Sequence, residues 1–128
     1  MKARIGWFLA VGCAAAAVHF AIVVRLVTAT ALAPLAANVA GWLVALLVSF
    51  TGHWRLTFRH ERAPWRQAAP RFFAISLAGF AVNEAAYAVL LHLSGWRYDV
   101  LLAIVLVGMA VLTYLLSSRW AFLGTARP

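Results

Sequence analysis

Glu84 is the residue with the most to explain. It is the one acidic side chain in the apolar run FFAISLAGFAVNEAAYAVLLHL, thirteen residues after Arg71. An acidic group at the centre of a hydrocarbon layer is unfavourable by about 2.5–3.5 kcal/mol on insertion scales, so Glu84 is expected to face other helices rather than lipid. Two kinds of chemistry fit such a carboxyl. One is proton coupling or hydrogen bonding to a polar substrate; the plainer one is a hydrogen bond between helices. Asn83 and Tyr87 accompany it on its own segment, and His19, Asn38, Ser49 and His53 are polar residues in other apolar segments that could meet it. A second set is cationic: Arg55 and Arg119 stand at matching ends of two apolar runs, and Arg25 and His92 at matching ends of the other two. A guanidinium fork complements phosphate oxygens, so these four are candidate binders of an anionic lipid headgroup. Snorkelling to ordinary phospholipid is the simpler alternative for each.

Nothing else in the chain has the form of a reactive site. His19, His53, His60 and His92 lack metal-ligand spacing, the three acidic residues are scattered, and Cys13 is alone. No glycine-rich phosphate loop follows a strand. The expectation is therefore no metal, no cofactor, no disulfide and no enzyme acting by itself.

The elements that must position these residues follow from composition. With 66% hydrophobic and only 11% charged residues among 128, the chain departs far from a soluble protein. Apolar stretches at about 5–27, 36–56, 72–93 and 99–121 each approach the ~20 residues that a helix needs to cross ~30 Å of hydrocarbon. The period-two alternation of a membrane barrel is absent, so the fold class is all-α integral membrane, one transmembrane domain over 1–128 with a basic loop at 57–71. The first run opens like a signal peptide, but it continues ten residues past Cys13, which a removable signal does not need.

Charge sets the orientation. The net charge is +8, and nine of the eleven Lys and Arg residues (Lys2, Arg4, Arg55, Arg59, Arg62, Arg66, Arg71, Arg119, Arg127) fall at the termini or around the central connection. Only Arg25 and Arg97 fall at the other two connections. By the positive-inside rule both termini and the central loop lie in the cytoplasm. Short loops beside a membrane offer no folded basic surface to read a duplex, so nucleic acid is excluded as a partner. The hydrophilic segment RHERAPWRQAAPR could lie on the lipid surface or dock a cytoplasmic partner, although a topology signal alone explains it.

The chain also repeats itself. SFTGHWRLTF at 49–58 and TYLLSSRWAF at 113–122 align Ser49 with Thr113, Phe50 with Tyr114, Arg55 with Arg119 and Phe58 with Phe122. A shift of 67 residues lays Arg4 on Arg71, Gly12 on Gly79, Phe20 on Tyr87 and Arg25 on His92. Two parallel two-helix repeats follow, with both termini inside. Within the second run Asn38, Gly41, Ala45, Ser49 and Gly52 recur every three or four residues. Such a small and polar stripe is the usual contact surface between membrane helices, with a substrate path as the bolder reading. Four helices enclose little space, so a homo-oligomer is expected, with interfaces from the Gly12 and Gly79 faces.

At these residues the sequence resembles the GtrA-like family of small four-helix membrane proteins. The resemblance is carried by the arginine-led first helix with Gly12 and by the two helix-ending phrases, and it covers about residues 4 to 123. The sequence departs from the family pattern where His53 and Ser117 replace an asparagine before the arginine, and where Leu56 replaces a tryptophan. The resemblance implies a role in cell-surface polysaccharide synthesis at the cytoplasmic membrane. It implies translocation of a polyprenyl-phosphate-linked sugar, of the undecaprenyl-phosphate type, with a membrane glycosyltransferase as partner. On that reading Glu84, Asn83, Tyr87, His19, Asn38, Ser49 and His53 line the sugar path or couple protons. Arg55, Arg119, Arg25 and His92 would then take the lipid phosphate. A rival is a scaffold that transports nothing and recruits the glycosyltransferase through RHERAPWRQAAPR. A small multidrug-type exporter is a third, disfavoured by the charge bias and by the place of Glu84 in the third helix.

Overall fold

The computed structural model describes the backbone of residues 2–60 and 63–123, with side chains as far as Leu112. All four apolar runs are helices: α1 Lys2–Thr30, α2 Pro34–Gly52, α3 Trp65–Leu93 and α4 Tyr98–Leu123. A π-helical turn, His53–Thr57, extends α2. No strand occurs among the described residues. Lys2–Thr30, Pro34–Thr57 and Trp65–Leu93 are each long and apolar enough to cross a membrane. α4 spans 26 residues and begins with the apolar stretch Tyr98–Leu112.

Local chemistry sets the helix ends. Ala31 adopts φ 56°, a left-handed conformation that stops α1. Ala33 is extended and Pro34 occupies the first turn of α2, where its missing N–H has no helical partner to lose. The π-helical turn closes with the Phe58 amide donating to the His53 carbonyl at 2.9 Å, a five-residue step. α3 starts at Trp65 rather than near residue 72, so much of the expected 57–71 loop is helix. Pro64 is the reason: its extended backbone (φ −52°, ψ 139°) sits at the N-cap, and its carbonyl receives the amides of Gln67 and Ala68 at 2.9 and 3.0 Å. Pro70 then lies inside α3, at the place where its missing N–H leaves the Arg66 carbonyl without that helical donor.

Packing follows the small-residue stripe. α1 buries Val11, Ala15, His19 and Val23, one side chain per turn, against Ala37, Asn38, Gly41 and Ala45 of α2. A Cβ on Gly41 would lie 2.8 Å from His19 Cδ2 and 3.0 Å from the His19 carbonyl oxygen. A Cβ on Gly52 would lie 2.7 Å from Val11 Cγ1. These glycines let two backbones approach where no hydrophobic drive joins helices in lipid. α3 is stitched to α2 by Trp42, whose ring stacks on Phe80 at 4.5 Å and whose Nε1–H donates to Ser76 Oγ at 3.0 Å. Tyr87, fully buried, joins Val23, Ala37, Leu102 and Val105 in the core between all four helices. α4 closes the ring by packing on both α3 and α1. Leu47, Ile75, Leu93 and Val107 point outward and are mostly exposed, as side chains that meet lipid must be.

Candidate functional site

Three helices bring their polar side chains to one point. Asn38 of α2 is wholly buried and stands at the centre. Its Oδ1 accepts from His19 Nε2 of α1 at 2.6 Å. Its Nδ2 donates to Asn83 Oδ1 at 3.0 Å and to Glu84 Oε2 at 2.6 Å, both on α3. His19 and Asn83 are buried, whereas Glu84 is half-buried at the edge of the cluster. Every buried polar side-chain atom among the described residues has a hydrogen-bond partner. Physically the cluster is a clamp, since each group that would otherwise sit unpaired among apolar neighbours is satisfied by another helix. Glu84 lies nine residues before the end of α3, and Asn38 four residues after the start of α2, about 14 Å and 6 Å along their axes. The cluster therefore occupies the half of the bundle nearer the 31–33 and 94–97 connections.

The other expected polar residues are not part of it. Tyr87 lies one turn beyond Asn83, but its hydroxyl donates to the Tyr98 carbonyl at 2.9 Å and ties α3 to the start of α4. Ser49 is half-buried eleven residues along α2 from Asn38, about 17 Å away along the axis. His53 is buried in the π-helical turn, with Nδ1 2.9 Å from Thr57 Oγ1 and its ring 5.0 Å from Phe8 and 6.2 Å from Phe72. A shared stripe on one helix thus serves two levels of the bundle.

The four candidate cations are likewise divided between the ends. Arg55 is exposed on the π-helical turn. Arg25 and His92 are exposed toward the opposite end. Arg119 belongs to the backbone of α4, and its side chain lies outside the described residues. Sequence reasoning missed a cleft of about 390 Å³ at the Arg55 end, lined by Ala3, Arg4 and Trp7 of α1 and by Leu56, Thr57, Phe58, Arg59 and His60. The Arg4 guanidinium lies over the Phe58 ring at 4.7 Å, and Arg59 Nε donates to His60 Nε2 at 2.9 Å. The pooling of Arg4 with the central loop in one positive side was the available signal, but no spacing in the sequence pairs residues so far apart.

Residues 7–122 match a family model described as GtrA/DPMS, transmembrane domain. The chain belongs to the GtrA/DPMS transmembrane domain family. It is accordingly a membrane protein, and its apolar helices are the membrane part of the domain. The match takes in the whole Asn38-centred cluster and part of the basic cleft. No curated protein and no solved structure matches the chain significantly.

Proposed function

We propose that this GtrA/DPMS domain translocates a polyprenyl-phosphate-linked sugar, of the undecaprenyl-phosphate type, across the cytoplasmic membrane for polysaccharide or glycan synthesis. The observation that carries the reading is Glu84: half-buried at the rim of the Asn38 cluster, it offers a carboxyl within the membrane span that hydrocarbon alone would not tolerate. In this scheme Asn38, Asn83 and His19 hold the carboxyl in place, and Glu84 exchanges a hydrogen bond with passing sugar hydroxyls or carries a proton. The chain is a transporter with no chemistry of its own. Both termini lie in the cytoplasm, the halves are parallel repeats, and a membrane glycosyltransferase makes or uses the lipid. A homo-oligomer would use the Gly12 and Gly79 faces, where an added Cβ meets nothing within 4 Å.

The test is transport by purified protein in proteoliposomes, with a labelled polyprenyl-phosphate sugar and with or without the transferase. Wild type is expected to move the lipid between leaflets, and Glu84→Gln to lose at least about tenfold in rate while folding normally, because the amide oxygen can still accept from Asn38. Wild type that moves no lipid in either setting overturns the reading, as does full activity of Glu84→Gln.

One observation favours the scaffold reading instead. Trp65 and Arg66 are exposed on the first turn of α3, with the guanidinium 5.7 Å from the indole ring, so the basic segment presents a helical surface for a transferase. Trp65→Ala with Arg66→Gln should then abolish glycan modification in cells, and Glu84→Gln should not.

A further inference from the structure

The cleft at the Arg55 end is not explained by packing. Its cationic and aromatic walls come from three parts of the chain: Arg4 and Trp7 from the first two turns of α1, Leu56 and Thr57 from the π-helical turn, and Phe58, Arg59 and His60 from the connection that follows. The π-helical turn is what brings these parts together. It widens the end of α2 by one residue per turn, so that Thr57 is buried on His53 while Leu56 and Phe58 are partly exposed beside α1.

We propose that this cleft binds the phosphate headgroup of a lipid on the side of the membrane where the basic residues gather. Arg4 and Arg59 supply guanidinium donors from two separate elements, His60 adds a third nitrogen donor once it turns from Arg59, and Phe58 holds Arg4 by its ring face. The level is that of headgroups, since Arg4 stands two residues after Lys2, the first helical residue, and Arg59 follows the last helical residue by two positions. A lipid-borne phosphate fits better than a free one because the cleft opens onto apolar surface. Trp7 and Leu56 are about two-fifths exposed, and Ile5 and Leu9, on the same stretch of α1, about half exposed. An alkyl or isoprenoid chain could leave the headgroup along that flank without crossing water. Arg55 does not line the cleft, so the proposed site is distinct from the one that the repeat pointed to. The choice of an isoprenoid phosphate as ligand rests on the function proposed above; the cleft itself does not.

Radiolabelled farnesyl phosphate, titrated onto the full-length protein in phosphatidylcholine nanodiscs, tests the site through binding alone. Saturable binding is expected, weakened about tenfold or more by Arg59→Gln and by Arg4→Gln, as befits the loss of a charge-assisted contact. Arg97→Gln at the far end should stay within about twofold of wild type, and Arg71→Gln should also do so if the cleft and not the general positive field holds the ligand. Farnesol should not compete, and inorganic phosphate should compete only at concentrations at least about a hundredfold higher. Equal competition by inorganic phosphate overturns the lipid assignment. Wild-type affinity in both Arg59→Gln and Arg4→Gln, or an equal loss in Arg71→Gln, overturns the site. Should Arg4→Gln fail to fold, the exposed Arg59 decides the matter alone. Protein that binds farnesyl phosphate through these arginines yet transports nothing would remove the proposed function and leave the cleft standing.

Discussion

Asn38 uses both ends of one amide to hold two other helices, its oxygen accepting from α1 and its nitrogen donating to α3. Replacing it by Ala removes three hydrogen bonds at once and leaves His19, Asn83 and Glu84 facing one another without a mediator. Interhelical hydrogen bonds in membranes average about 0.6 kcal/mol and reach about 1.7, so Asn38→Ala should lower the unfolding free energy by roughly 2 kcal/mol. Asn83→Ala, which removes a single one of these bonds, should cost about 0.5–1 kcal/mol. Reversible unfolding in mixed micelles gives both values, and a larger loss for Asn83→Ala than for Asn38→Ala would contradict the central place of Asn38. The members of this cluster were legible in the sequence because polar atoms in apolar helices must find partners, and each stood out against its neighbours. Their grouping was not, since the register between helices depends on how the Gly41 and Val23 backbones slide together. Ser49, on the stripe of Asn38, and His53, in the π-helical turn beyond it, sit about three and four turns away, and Tyr87 reached a backbone carbonyl that only the 94–97 connection could deliver.

Between elements, the α1–α2 seam is governed by two glycines. Gly41→Ala would place a methyl 2.8 Å from His19 Cδ2, 2.9 Å from Val23 Cγ2 and 3.0 Å from a backbone oxygen that cannot rotate away. The helices must separate, which strains the His19–Asn38 bond as well, and a loss of about 1–3 kcal/mol is expected. Gly12→Ala and Gly79→Ala meet nothing within 4 Å and should be neutral or slightly stabilising in the monomer, because alanine favours helix by up to about 1 kcal/mol. The contrast is read in the same unfolding assay, and equal effects at Gly41 and Gly12 would show the seam to be looser than the distances say. The small-residue stripe, its spacing and the four helices were readable from periodicity and length. The start of α3 was not, because Arg66, Arg71 and two prolines look like a loop in sequence. Pro64 in fact opens a helix, and the bundle carries Pro70 inside it. The π-helical turn has no periodic signature at all, and with it the cleft stayed hidden.

At the scale of the whole molecule the basic residues are segregated by the fold itself. Lys2, Arg4, Arg55, Arg59, Arg66 and Arg71 all lie at the end of the bundle that holds the start of α1, the π-helical turn and the start of α3, while Arg25 and Arg97 lie toward the other. Arg97 is moreover paired with Asp99, its Nη2 2.9 Å from Oδ2, which cancels much of the positive charge in the 94–97 connection. The end that holds Lys2, Arg4, Arg55, Arg59, Arg66 and Arg71 is therefore the positive one, and it should face the cytoplasm. Single cysteines test this in a Cys13→Ala background, where the one native thiol is exposed on α1 beside the open Gly12. His60→Cys should react with a membrane-impermeant maleimide only after the cytoplasmic side is opened, and Gly95→Cys should react in intact spheroplasts. The reverse pattern would invert the bundle and place the Arg4–Arg59 cleft on the outer face. Equal labelling of both from outside would point to mixed insertion, which a charge asymmetry this large should forbid. Were His60 found in the cytoplasm, the lipid phosphate of the proposed transport would meet the cleft first, and its sugar would reach the level of Glu84 only after passing most of the membrane.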